Sequence, residues 1–201
     1  MDLGTIPDWL QLLAVCITSY VAIRGIRAWE TETVGKRKIE LAENALTAFY
    51  EFRDVMIAIR CPDGYEDESK KRVRHPDETD EQARSLDAYF RSLQRYTDSQ
   101  ELFSSFSIME YRFYSYFGKA GRKPFEKQRF AKNRVLSAAR QLLSTSTPFS
   151  VNHLCESNRN KLENLLWDNT GGESDEINDL IDEAISEIEK LCEPILLRSK
   201  T

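Results

Sequence analysis

The stretch "IPDWLQLLAVCITSYVAIRGIRAW", residues Ile6 to Trp29, decides what kind of protein this chain is. Either it crosses a membrane or it is the first helix of a soluble bundle. Fifteen uncharged residues, Trp9 to Ile23, separate Asp8 from Arg24. As a helix rising ~1.5 Å per residue they cover about 22 Å, short of a bilayer core of roughly 30 Å. Three features extend the reach. Arg24 and Arg27 can bury their stems and lift their guanidinium groups to the headgroups. Trp9 and Trp29 stand twenty residues apart, about 30 Å along a helix, which suits an aromatic belt at each interface. Nothing basic precedes the segment, whereas Arg24, Arg27, Lys36, Arg37 and Lys38 follow it. The positive-inside rule then places the N-terminus outside and all that follows Trp29 in the cytoplasm. A cleaved signal peptide fits poorly, because the n-region is acidic and "AIRGIRAW" offers no small-residue cleavage site. Residues 1–29 are therefore expected to be an uncleaved membrane anchor with Trp9, Arg24, Arg27 and Trp29 at its interfaces. The alternative is a buried packing helix.

The remaining residues, 30–201, read as helices throughout. In "KIELAENALTAFYEFRDVMIAIRCP", Leu41, Ala45, Ala48, Phe52, Val55 and Ile59 recur at three- and four-residue steps. Ile39, Ala42, Leu46, Phe49 and Met56 form the adjacent stripe, and the wide apolar face ends at Pro62. Arg53 falls within the second stripe and is expected to pair with a carboxylate or tyrosine of a neighbouring helix. Residues 61–80 have little apolar content, two prolines, and seven acids against four bases. They are expected to form a solvated loop, "KKRVRH" included.

Thr79 is a plausible N-cap for the next helix. Its apolar positions are Ala83, Leu86, Phe90 and Leu93, then Phe103, Phe106, Phe113 and Phe117, with a break near Thr97–Ser99 and an end at Gly118. A third stretch starts after Pro124, with Ala131, Val135, Ala138 and Leu142 on one face. Residues 157–168 make a shorter helix before a break at 169–173. Ser174 is expected to cap the last helix, in which Ile177, Leu180 or Ile181, Ala184, Ile188, Leu191 and Ile195 step at three and four residues. The fold class is all-α: an N-terminal helix followed by an antiparallel bundle of four to five helices.

Charge is segregated along this bundle. From Glu110 to Arg140 there are nine bases against two acids, and from Glu173 to Glu193 nine acids against one lysine. The leading reading is internal, two helices of opposite charge lying side by side. The functional reading is anion or lipid contact through Lys119, Arg122, Lys123, Lys127 and Arg129, interleaved with aromatic residues. A net charge of −5 gives no global pull towards nucleic acid.

Chemistry-bearing motifs are absent. There is no nucleophile elbow, phosphate loop, dinucleotide fingerprint or His-Glu-x-x-His. Two histidines, His75 and His153, do not build a metal site, and "HLC" (His153 to Cys155) lacks a second ligand pair. Cys16, Cys61, Cys155 and Cys192 are too dispersed for a disulfide framework. No cofactor, metal or catalytic residue is expected.

The order of an apolar N-terminal helix and a Trp, then "GKRKIELAENALTAFYEFRDVMIAIR", "DEQARSLDAYFRSLQR" and "EAISEIEKLCEPIL", resembles a group of uncharacterised bacterial proteins with an N-terminal membrane helix. The resemblance implies attachment to the bacterial cytoplasmic membrane and a cytoplasmic helical portion, and assigns no activity. The expected function is a membrane-anchored scaffold, sensor or adaptor working through an unknown protein partner or homo-oligomer. The alternatives are a peripheral module that reads anionic lipid, and a soluble bundle with nucleic-acid binding or an unrecognised enzymatic activity.

Overall fold

Nothing between Asp8 and Arg60 stops a helix: the segment has no proline, and its only glycines are Gly25 and Gly35. In the computed structural model it is one uninterrupted helix, α1, Asp8–Arg60. The structure describes residues 8–64, 68, 70–148, 150, 154–168 and 175–198. Four further helices follow: α2 Asp80–Asp98, α3 Gln100–Thr145, α4 Glu156–Leu166 and α5 Glu176–Arg198. No strand occurs among the described residues, and the fold is all-α.

Local chemistry sets the boundaries. Thr79 caps α2 in a full capping box with Gln82, which satisfies two otherwise orphaned amide donors. Ser99, at φ −95° and ψ 10°, separates α2 from α3. Asp175 caps α5 by accepting from the backbone N–H groups of Ile177 (2.9 Å) and Asn178 (3.2 Å). The cap expected at Ser174 and the break at 169–173 lie outside the described residues, as does His153.

Helix α3 cannot be straight. Glu110 and Arg129 would stand about 28 Å apart along a continuous helix, yet their side chains meet at 2.5 Å. The reversal is at Gly118, whose φ of 60° and ψ of −148° are non-helical and open essentially only to glycine. Three residues on, a Cβ at Gly121 would sit 2.6 Å from Phe117 Cβ and 2.8 Å from Phe113 Cδ1. The bare glycine lets the two arms, 100–117 and 119–145, come together directly after the turn. The second arm thus starts before Pro124, not after it. Pro124 lies near the start of that arm and forfeits only one helical hydrogen bond.

Contacts across the bundle give the topology. Phe49 meets Phe106 (5.1 Å between ring centroids), Phe52 meets Phe103 (5.4 Å), and Arg95 reaches the Ala58 carbonyl (2.7 Å). As α1 numbers rise the others fall, so α2 and the first arm of α3 run antiparallel to α1. The second arm reverses again, and α5 returns alongside it through Lys127 with Glu183 and Arg134 with Glu176. The result is an up-down-up-down bundle. Its centre holds Phe49, Phe52, Phe106, Phe113 and Phe125, all buried. Each ring pair adds roughly 0.5–1.5 kcal/mol beyond area burial.

Only the later part of α1 belongs to this bundle. Residues 9–32 are all exposed, and contact with the other helices begins at Thr33 and Gly35. Arg53 does not reach a neighbouring helix. It pairs with Asp54 at 3.3 Å and lies over the ring of Tyr50, both on α1, because its stripe emerges at the edge of the bundle there.

Gly118→Ala tests the hairpin. A Cβ at this position meets nothing within 4 Å, so the whole penalty is backbone strain, about 1–3 kcal/mol. Urea unfolding of the full chain in mild detergent should show that loss; a change under about 0.5 kcal/mol, the scatter of an ordinary surface substitution, would mean the turn is not so confined.

Candidate functional site

Two regions stand out by position and chemistry: the free length of α1, and the end of the bundle farthest from it. From Trp9 to Ile23 the first is uncharged and mostly apolar on every side. Trp9 is 62% exposed and Trp29 66%, with Leu12, Val15, Ile17, Tyr20, Val21, Ile23 and Ile26 also exposed between them. It is long and apolar enough to cross a membrane, with a mean hydropathy of 1.5 in its most apolar window and none of that window buried. Two of its polar side chains bond within the helix. Thr18 Oγ1 donates to the Ala14 carbonyl at 2.9 Å, and Arg24 donates to the Tyr20 hydroxyl at 3.4 Å. From Trp9 to Glu32 the rod is about 36 Å long.

The basic residues singled out from the sequence divide into two groups. Lys127 bonds to Glu183 (2.7 Å) and Glu187 (2.8 Å) of α5, which together raise its ammonium pKa. Arg129 bonds to Glu110 (2.5 Å), and Arg122 to Glu110 (3.2 Å) and Glu126 (3.0 Å). Buried Glu110, which the sequence did not single out, joins the two arms of α3. Lys119 and Lys123 are exposed beside the Gly118 turn and make no ion pair among the described residues. That turn lies at the end of the bundle from which α1 projects, where Gly35, Lys38, Phe117 and Ile195 line one cavity.

The far end is organised by Arg60, the last residue of α1, whose side chain is 1% exposed. It donates to Asp175 (2.6 Å), Asn178 (2.7 Å) and the Trp167 carbonyl (2.8 Å). Asp168 lies 3.9 Å away, and its N–H donates to the Arg60 carbonyl. Burial raises the Asp175 carboxyl, but Arg60 and the two capping amides outweigh it and hold the group below its ordinary range. Close by, Tyr89 stacks on Trp167 and donates to Glu163. Burial, followed by the Glu163 carboxylate, raises that phenol. The sequence did carry a signal for Arg60: it follows Met56 by four residues on a buried stripe.

Residues 61–79 are more than a solvated loop. Arg72 is nearly buried and pairs with both Glu78 (2.7 Å) and Asp87 of α2 (2.6 Å), while Arg74 also meets Asp87. Arg95 holds Glu68 at 2.7 Å and bonds to the carbonyls of Cys61 and Asp63. The bond from Arg72 lowers the Glu78 carboxyl from 4.5 to about 2 against opposing desolvation. Elsewhere, burial alone pushes the Cys192 thiol up to about 12, as suits a core residue. No group of three or more His, Cys, Asp or Glu able to hold a metal occurs among the described residues.

Two predictions follow from these contacts. Arg60→Ala leaves Asp175 buried without its guanidinium and should cost about 3–5 kcal/mol, read by urea unfolding; a loss below 1 kcal/mol would remove Arg60 from its organising role. Glu78 is depressed on folding, so its contribution is fully present above pH 4.5 and is lost as pH falls towards 2. Glu78→Gln should flatten the acid dependence of unfolding in that window, and an unchanged slope would contradict the pairing.

Comparison with family models, with curated proteins and with solved structures gives no match. The functional reading therefore rests on the geometry of this chain.

Proposed function

We propose that the chain is a single-pass membrane protein of the bacterial cytoplasmic membrane, with its N-terminus outside and a cytoplasmic bundle that acts as a scaffold, sensor or adaptor through protein contacts. One observation carries this reading: an exposed rod, uncharged and mostly apolar on all sides from Trp9 to Ile23, continues without a break into a core helix of the bundle. In water such a surface is costly at roughly 25 cal/mol per Å², whereas in lipid it is the stable arrangement. The internal bonds of Thr18 and Tyr20 support the same setting, since hydrocarbon offers no partner to polar groups. The bases after Trp29 support the orientation.

A peripheral role that reads anionic lipid is a second reading, favoured by Lys119 and Lys123 at the end nearest the rod. Each base close to an anionic surface contributes about 1 kcal/mol. In the anchored arrangement the same lysines would reinforce the rod instead of replacing it.

Full-length protein should stay in the membrane pellet after alkaline carbonate extraction. Ile17→Lys combined with Val21→Lys should weaken that retention, since each charge costs about 2.5–3.5 kcal/mol at a helix centre. Release of the wild type at high pH would favour the peripheral reading, and a fully soluble protein would sink the anchor. Protease added outside spheroplasts should leave the bundle intact.

A further inference from the structure

At the end of the bundle opposite the rod, the chain after α1 folds against α2 and encloses a cavity of about 800 Å³. Among the described residues its lining is almost entirely cationic. Lys70, Arg72 and Arg74 come from the loop and Arg84 and Arg91 from α2, with Asp87 the only carboxylate and Gly64 at the edge. Asp87 and the adjacent Glu78 are already committed to Arg72 and Arg74. Arg84 and Arg91 form no ion pair among the described residues, although the Glu68 carboxylate, held by Arg95, lies beside Arg91 next to Gly64. Arg84 donates to the Asp80 carbonyl at 3.3 Å and Arg91 to the Pro62 carbonyl at 3.1 Å, and Arg91 Nε is buried with no partner.

This is an unusual way to spend charge in an acidic protein. Arg84 and Arg91 are the two lining arginines outside these ion pairs, and in a partly enclosed site their charges are screened less than on open surface. Asp87, itself buried, works as a pivot that draws two loop arginines towards the α2 pair. An arginine fork matches phosphate oxygens in planar, bidentate geometry. Arg84 and Arg91 are seven residues apart on one face of α2, about 10 Å along the axis, so a ligand that engages both has more than one phosphate. Among the described residues the lining has no aromatic or apolar side chain to hold a nucleobase, so recognition falls on the phosphates. The volume lies in the usual range for small-molecule sites, about 300–1,000 Å³.

We infer that this cavity, lined by Gly64, Lys70, Arg72 and Arg74 and by Arg84, Asp87 and Arg91 of α2, binds a small soluble anion bearing two or more linked phosphates. A lipid headgroup has the same chemistry but the wrong location. From Glu32 to Arg60, α1 rises about 42 Å, which puts the cavity far from the bilayer of the anchored arrangement. Phosphate binding itself does not depend on the anchor reading. Only the choice of a soluble source does, and membrane extraction tests that choice separately.

The experiment is calorimetric titration of the full-length protein, in mild detergent, with inorganic triphosphate at low and at physiological salt. Saturable one-to-one binding is expected, weakening as salt rises. Arg84→Glu should weaken it by about tenfold or more. Arg84 is exposed and bonds only within its own helix, so its melting temperature without ligand should match the wild type. Arg91→Lys, which keeps the charge but loses the fork, should weaken binding less than Arg84→Glu. Lys123→Glu, at the other end of the bundle, should leave binding unchanged. Absence of saturable binding, or equal affinity in wild type and Arg84→Glu, would overturn the assignment. So would Arg84-dependent binding to phosphatidylglycerol vesicles with none to triphosphate, which would make the site a headgroup receptor.

Discussion

The architecture depends on α1 being one helix with two different surroundings. A helix has a single continuous backbone, so its side chains alone decide where it belongs. In residues 9–23 uncharged, mostly apolar groups cover every side, and among the described residues nothing buries them. From Leu41 the apolar groups narrow to one stripe, which α2, α3 and α5 cover. The change takes place without a glycine pair, a proline or a loop, so motion of the rod and motion of the bundle are mechanically linked. A helix that enters a core aromatic cluster through Phe49 and Phe52 is a direct route by which one end could influence the other.

The second constraint is charge. The basic second arm of α3 and acidic α5 lie side by side and antiparallel, with Lys127 between Glu183 and Glu187 and Arg134 at Glu176. Exposed pairs like these are worth up to about 1 kcal/mol each. Their larger effect is on register, since sliding α5 by one turn would set acids against apolar positions. Glu110 does the same within α3, where its buried carboxylate meets two arginines across the Gly118 turn.

At the far end, two arginines do different work. Arg60 meets Asp175, Asn178 and the Trp167 carbonyl and closes the bundle by tying the end of α1 to the cap of α5, although its Nε has no partner among the described residues. Arg91 is left incompletely bonded beside a cationic cavity. A guanidinium paired with a carboxylate contributes to assembly, whereas one bonded only to a backbone carbonyl keeps its charge available to an anion. That contrast separates the structural cluster from the candidate site, although the two lie on the same end of the bundle.

The sequence by itself determined the helices. Three- and four-residue spacing located the stripes that became the core, from Leu41 to Ile59 and from Ile177 to Ile188, and Thr79 and Gly118 marked a start and an end through backbone chemistry local to each. It also determined that residues 9–23 are apolar all round and that bases follow them. These properties are written in neighbouring residues, which is why they were legible. Tertiary structure alone decided the partners. Arg60 finds Asp175, and Arg72 finds Asp87, because bundle topology brings distant segments together. The same topology kept Arg53 on its own helix and pinned a loop that composition marked as solvated. The cationic cavity could not be seen in the sequence, because the loop as a whole carries more acid than base. Only folding sorts those charges, turning Glu68 and Glu78 towards Arg95 and Arg72 and leaving Arg84 and Arg91 at the cavity wall.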